Sequence, residues 1–302
     1  MCQPAATEHV LIAWPAGEKF LPTNRHDTYP AIDPANADLT GKVVVVTGAS
    51  RGIGQATAVA MAQAGAKGIV LIARSSPDAT KAACLEAARE GRKTEVLALA
   101  VDITDTAAVA AAAKRIEETF GRVDIVVNNA GYLEKYALIA DTDPVSWWRA
   151  FEVNLRGTYE VTRALLPLLI ACNGDKTIVN VTSASALIAF PRFTAYTISK
   201  LAQLRLAEWV CAEYGDKGVL AYSVHPGAIM TDMSTQLPSE YIDAGILTDT
   251  TQLPGNTILW LVRERREWLA GRYIDCRWDV EALLAKKQEV VDGDKLKLTL
   301  VV

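Results

Sequence analysis

The stretch from Val43 to Gly54 constrains the fold more than any other part of the chain. Four consecutive valines, Val43-Val44-Val45-Val46, form a continuous β-branched run, the pattern of a strand buried on both faces within a parallel sheet. The run passes into Thr47-Gly48-Ala49-Ser50-Arg51-Gly52-Ile53-Gly54, and then into an alanine-rich segment that Gly65 closes. This reads as strand, tight turn and helix start. Glycines at Gly48, Gly52 and Gly54 let backbone approach a pyrophosphate, and unpaired N–H groups at the helix N-terminus meet its negative charge. A glycine triplet alone is weak, because tight turns use the same residues. The strand before it and the helix after it supply the context of a dinucleotide site.

The same rhythm continues. Strand-like runs recur at 68–73, 94–100, 123–127, 177–182, 218–224 and 271–276, separated by helical stretches near 77–90, 106–120, 144–172, 195–214 and 256–268. Seven strands alternating with helices predict an α/β fold, a doubly wound parallel sheet with helices on both faces. No linker interrupts residues 41–276, so they read as one domain. Residues 1–40 look like an extension: prolines recur and periodicity is poor, although 10–14 reads as a short strand or a docking patch. In the tail, 277–302, residues 280–290 resemble an amphipathic helix and 295–302 alternate like an edge strand. The tail suits packing against the body or against a partner subunit.

Half of the 302 residues are hydrophobic and 22% are charged, enough for a sizeable core. A net charge of −4 without a basic run argues against a nucleic-acid surface. The apolar runs fall short of the roughly 18 residues of a membrane span, and no secretory signal is visible, so a cytoplasmic location is expected. Five dispersed cysteines (Cys2, Cys84, Cys172, Cys211, Cys276) suit reduced thiols. Three scattered histidines (His9, His26, His225) suggest no metal site.

Chemistry is suggested by Tyr196-Thr197-Ile198-Ser199-Lys200. A tyrosine and a lysine four apart share one side of a helix, and an ammonium beside a phenol favours the phenolate, lowering a pKa that is ordinarily about 10. Ser183 ends a strand-like run upstream. Each residue has an ordinary reading: an exposed helix pair, a strand-end hydroxyl, a polar residue inside a helix for Asn154.

In combination, Thr47-Gly48-x-x-x-Gly52-x-Gly54, Asn128-Asn129-Ala130-Gly131, Asn154, Ser183, Tyr196-x-x-x-Lys200 and Pro226-Gly227 resemble the short-chain dehydrogenase/reductase superfamily over residues 41–275, in its order and spacing. The two terminal segments resemble a fungal subgroup linked to secondary metabolism. The resemblance implies a Rossmann fold and an NAD(P)-dependent oxidoreductase acting on CH–OH or C=O groups. Tyr196 would be the general acid in reduction and the base in oxidation. Lys200 would lower its pKa and hold the nicotinamide ribose. Ser183 would orient the substrate oxygen, and Asn154 would anchor a water in a proton relay. Gly48, Ser50, Arg51, Gly52, Ile53, Gly54, Asp102, Ile103, Asn129, Ala130 and Gly131 would line the cofactor, with Asn128 bracing the sheet. Pro226, Gly227, Ile229 and Thr231 would form the turn at the nicotinamide amide.

No acid follows the second strand; Arg74 stands there instead, and Arg51 lies in the glycine loop. Two guanidinium groups suit a 2′-phosphate, so NADP(H) is expected, with NAD(H) the alternative. Segments 132–139, 184–193 and 232–247 carry Tyr132, Leu133, Tyr136, Leu187, Phe190, Phe193, Met233, Leu237, Tyr241 and Ile246, and no arginine cluster. Such walls favour a small hydrophobic ketone or alcohol. Helices around 144–172 and 195–214 resemble those that pair in family dimers and tetramers, with Trp147, Trp148 and Trp209 at a core or an interface. The competing reading keeps the cofactor but not the redox step: a non-redox cyclase or isomerase, or a regulatory protein.

Overall fold

The computed structural model describes residues 20–22, 24–189 and 191–300. Strand β1 (Val43–Thr47) leads to α1 (Gly52–Gln63), β2 (Gly68–Ala73), α2 (Asp78–Glu86), β3 (Glu95–Ala100), α3 (Thr106–Phe120) and β4 (Ile125–Asn128). Then follow α4 (Pro144–Phe151), α5 (Thr158–Ala171), β5 (Thr177–Val181), α6 (Thr194–Tyr214) and β6 (Leu220–His225). The chain finishes with α7 (Ser239–Asp243), α8 (Gln252–Val262), β7 (Tyr273–Asp275), α9 (Val280–Ala285) and α10 (Lys287–Asp292). All pairings are parallel and the strand order is β3-β2-β1-β4-β5-β6-β7. The seven-stranded doubly wound sheet expected from the alternation is therefore present. Its order reverses between β1 and β4, which opens a crevice at the carboxyl ends of those strands.

Side chains of a strand alternate between faces, and β1 feeds two cores. Val44 and Val46 join Met61, Ile258, Trp260 and Trp278 on one side of the sheet. Val45 packs with Ile116, Leu165, Leu169 and Val210 on the other. Buried area on both sides explains why the valine run is continuous rather than alternating.

Four local expectations change. The helix expected at 144–172 is α4 and α5 joined by a π-helical turn, Glu152–Gly157, that carries Asn154. Such turns push one residue out of the regular ladder. The helix expected at 256–268 runs from Gln252 to Val262 instead. Pro254 falls in its first turn, where the missing N–H has no helical acceptor anyway. The amphipathic helix of the tail breaks at Lys286 into α9 and α10. Residues 295–300 form no strand: Leu296 adopts φ 66°, and its carbonyl accepts from the Tyr273 N–H at 2.8 Å, so the tail covers β7 of its own body.

The N-terminal segment is tied in through its described residues. Leu21, Tyr29, Ile32 and Leu39 are buried in the first core, Arg25 pairs with Asp279, and the Tyr29 hydroxyl accepts from the Val280 N–H at 2.8 Å. The patch expected at 10–14 lies outside the described residues, as do Cys2, His9 and Phe190. Cys84, Cys172, Cys211 and Cys276 are free thiols. Among the described residues no helix is long and apolar enough to cross a membrane.

Candidate active site

A cavity of about 830 Å³ lies at the crevice, within the usual range for small-molecule and cofactor sites. It is lined by Gly48, Ser50, Arg51, Gly52, Ile53, Arg74, Asp102, Ile103, Asn129, Ala130, Gly131, Tyr196, Lys200, Pro226 and Thr231. The sequence scatters these residues over 184 positions, and the topology gathers them. Gly54, Asn154, Ser183, Gly227 and Ile229 are not among its lining residues.

At one end, backbone makes the site. Gly48 has φ 63° and Gly52 φ 58°, a left-handed region that favours glycine. A Cβ on Gly54 would lie 2.3 Å from the Gly48 oxygen, and one on Gly48 would lie 2.8 Å from the Ala130 Cα. The Asn129 side chain donates to the Thr47 and Gly48 carbonyls at 3.0 and 3.2 Å, fixing the loop to the end of β4. The N-cap residue Arg51 makes no side-chain capping bond among the described residues, which leaves the first N–H groups of α1 to an anion. This cradle fits a dinucleotide pyrophosphate. Nearby, the exposed Arg51 pairs with Asp232 at 3.0 Å, while the exposed Arg74 has no ion pair among the described residues. Burial pushes the Asp102 carboxyl up, but hydrogen bonds from Thr104 and Arg149 outweigh it and leave the group below its ordinary value.

At the other end, side chains make the site. Lys200 is 3% exposed; its Nζ donates to the Val181 carbonyl at 2.8 Å and lies 5.6 Å from the centroid of the Tyr196 ring. Burial pulls Lys200 down to about 7. Tyr196 is pushed up to about 12, first by burial and then by the Glu134 charge, against a hydrogen bond from Ser183. The lowering of the phenol expected from the lysine does not prevail in this geometry, because desolvation penalises the charged form of each group. Ser183 accepts from the Ser185 hydroxyl at 2.9 Å and from the Ser185 N–H at 3.2 Å. With its acceptor positions filled, its own proton is left to donate.

Asn154 is fully buried. Its Oδ1 accepts from the Tyr132 N–H at 2.7 Å, and its Nδ2 donates to the Tyr132 carbonyl and the Ser199 hydroxyl, both at 2.9 Å. Its main-chain carbonyl takes Thr158 and Gln203. Protein groups therefore engage its polar atoms, and it grips the backbone of the loop after Gly131. A Cβ on Gly131 would come within 3.6 Å of Asn154 Oδ1 and 3.7 Å of Lys200 Nζ, so glycine leaves room beside both. Of the expected substrate wall, Tyr132, Leu133 and Met233 line the cavity. Phe193 is buried, with the Tyr136 ring tilted against it at 5.0 Å and the Tyr241 ring edge-on to Tyr136 at 6.1 Å.

Three residues of this end escaped the sequence reading. Glu134, 3% exposed, accepts from the Ala195 and Tyr196 N–H groups at 2.8 and 3.0 Å, capping the helix that carries Tyr196. Burial pushes its carboxyl up, while those N–H groups pull the other way. Asp249 accepts from the Ala228 N–H at 2.6 Å, and His26 Nδ1 lies 2.5 Å from its other oxygen. All three act across 21 to 223 positions of chain, and no local spacing announces them.

A family model described as short chain dehydrogenase matches residues 42–242. This chain belongs to that family. It is similar to the short chain dehydrogenase citE of Monascus ruber, 49% identical over 95% of this chain and 98% of that protein. It is also similar to pigC of the same organism, 41% identical over the full length of both. Among solved structures, the KRED1-Pglu enzyme is 31% identical with a TM-score of 0.66, over 77% of this chain and all of that one. Carveol dehydrogenase from Mycobacterium avium in complex with NAD has a TM-score of 0.70 at 21% identity, over 80% of this chain and 97% of that one, and shares the fold. The short-chain dehydrogenase is accordingly an NAD(P)-dependent oxidoreductase.

Proposed function

We propose that this short-chain dehydrogenase is an NADP(H)-dependent carbonyl reductase in which Tyr196 protonates the oxygen of a hydrophobic ketone. One observation carries the reading: the Tyr196 and Lys200 side chains share a single cavity with the glycine cradle and with Arg51 and Arg74. The nicotinamide cofactor supplies the hydride. The chain's residues supply position and the proton. Gly48 to Gly54 and the first N–H groups of α1 hold the pyrophosphate. Arg51 and Arg74 hold the 2′-phosphate; the exposed Arg51–Asp232 pair, worth at most about 1 kcal/mol, yields to it. Pro226 to Thr231 hold the nicotinamide amide, and Lys200 holds its ribose.

A phenol pushed up to about 12 stays protonated at neutral pH, which suits a donor to a developing alkoxide. Ser183 turns its one proton from the Tyr196 oxygen to the incoming carbonyl and orients it, and Asn154 positions Tyr132 on the substrate wall. Tyr132, Leu133 and Met233, with no arginine among them, suit an apolar substrate. The relatives from Monascus fit a place in fungal secondary metabolism. Four free thiols fit a reducing compartment such as the cytosol. Trp148 and Trp209, 60% and 58% exposed on α4 and α6, suit pairing with a second copy.

Purified protein should oxidise NADPH in the presence of bulky ketones, followed at 340 nm, and favour it over NADH. The Arg51→Ala/Arg74→Ala variant should lose about 10- to 100-fold of that preference, the scale of charge-assisted phosphate contacts. A wild type that favours NADH would overturn the cofactor assignment, and a failure to turn over any ketone would favour a cofactor-binding protein without redox chemistry.

A further inference from the structure

The turn from Pro226 to Thr231 is held by groups outside the compact core. Gly227 has φ 107°, and a Cβ there would lie 2.5 Å from Asp249 Oδ2. That oxygen accepts from the Ala228 N–H at 2.6 Å. The Asp249 N–H donates back to the Ala228 carbonyl at 3.0 Å, and Ile229 and Asp249 form a parallel bridge. Segment 232–247, which carries Met233 and Gln236 of the cavity lining, therefore leaves and re-enters the body through one neck.

The Asp249 side chain is 1% exposed. A buried carboxylate is costly unless its oxygens are hydrogen-bonded. The turn satisfies Oδ2; Oδ1 is met by His26 Nδ1 at 2.5 Å. His26 also accepts at its carbonyl from the Thr250 N–H, at 2.9 Å, and Asp27 accepts from the Thr250 hydroxyl at 2.7 Å. The segment around His26 is anchored in turn by the C-terminal side. Asn24 bridges Trp278, the Arg25 N–H donates to the Arg277 carbonyl at 2.6 Å, and the Arg25 guanidinium pairs with Asp279. Contacts thus run without interruption from 277–279, through 24–28, to Asp249 and the turn.

We propose that His26, acting through Asp249, is a positioning residue for the cofactor: it latches the turn 226–231 and the neck of the segment that closes over it. The proposal rests on the reading above that this turn faces the nicotinamide. It gives the N-terminal segment a part in the site: His26 completes the shell of a carboxylate whose other oxygen fixes the turn's backbone. With His26 removed, Asp249 meets water on one side and the Ala228 N–H loses its fixed partner.

The test compares His26→Ala, His26→Asn and Thr231→Ala in the full chain. Hydrogen exchange is measured on peptides covering 226–231 and 249, NADPH affinity by quenching of tryptophan fluorescence, and KM against kcat with a ketone. His26→Ala should speed exchange in both peptides and weaken NADPH about tenfold, on the scale of one hydrogen bond to a charged group, with the loss in KM rather than in kcat. His26→Asn, whose Nδ2 can donate from nearly the same place, should recover most of the affinity. Weakened binding in Thr231→Ala with unchanged exchange and affinity in His26→Ala would overturn the latch and leave the turn's role standing. Unchanged affinity in both would remove the turn's role and the proposal with it.

Discussion

The two ends of the cavity are built on different principles. The pyrophosphate end is backbone: Gly48, Gly52 and Gly54 clear a path, α1 offers its N–H groups, and the two arginines stand exposed at the rim. The proton-transfer end is a buried side-chain assembly in which Lys200 and Tyr196 of α6 meet Ser183, Asn154 and Glu134, drawn together from four elements and loops. A backbone site tolerates change around it but not a single added methyl group. A desolvated site shifts the proton affinity of its members, as Lys200 at about 7 and Tyr196 at about 12 show.

The sharpest way to break the first end is Gly54→Val. Its Cβ would meet the Gly48 oxygen, a backbone atom, at 2.3 Å and Asn129 Nδ2, held by two hydrogen bonds, at 2.6 Å. Cofactor affinity should fall at least about 100-fold, the loss of two or more contacts to a charged group, while circular dichroism reports a folded α/β protein. A folded variant that binds NADPH like the wild type would move the pyrophosphate elsewhere.

A smaller effect sharpens the second end. Glu134→Gln keeps the size of the side chain but removes one acceptor oxygen and the negative charge beside the phenol. That charge pushes Tyr196 up, so its loss lets the phenol ionise at lower pH. Reduction needs the protonated phenol, so the alkaline limb of the pH–rate profile should move to lower pH, with kcat down a few-fold. An unmoved profile with reduced stability would make Glu134 a helix cap only.

The same contrast explains what could be read in advance. The Val43–Val46 run, the glycine spacing and the β-α rhythm are local, and they yielded the sheet and its crevice. Tyr196 and Lys200 were legible as a helix pair because four residues make one turn. The direction of their proton affinities was not, since it depends on burial that the topology imposes. Glu134, Asp249 and His26 were invisible for the same reason: each meets its partner through the fold rather than along the chain. The helix at 144–172 was legible as one helical stretch, and only the π turn at Glu152–Gly157 inside it left no signal in the spacing.

If Tyr196 donates the proton, Tyr196→Phe removes the donor and leaves the ring in place. The variant and the wild type are compared for NADPH binding by fluorescence and for ketone-dependent NADPH oxidation at 340 nm. Turnover should fall at least about 100-fold, the scale of general acid catalysis, with NADPH still bound saturably. Turnover close to that of the wild type would contradict that role for Tyr196.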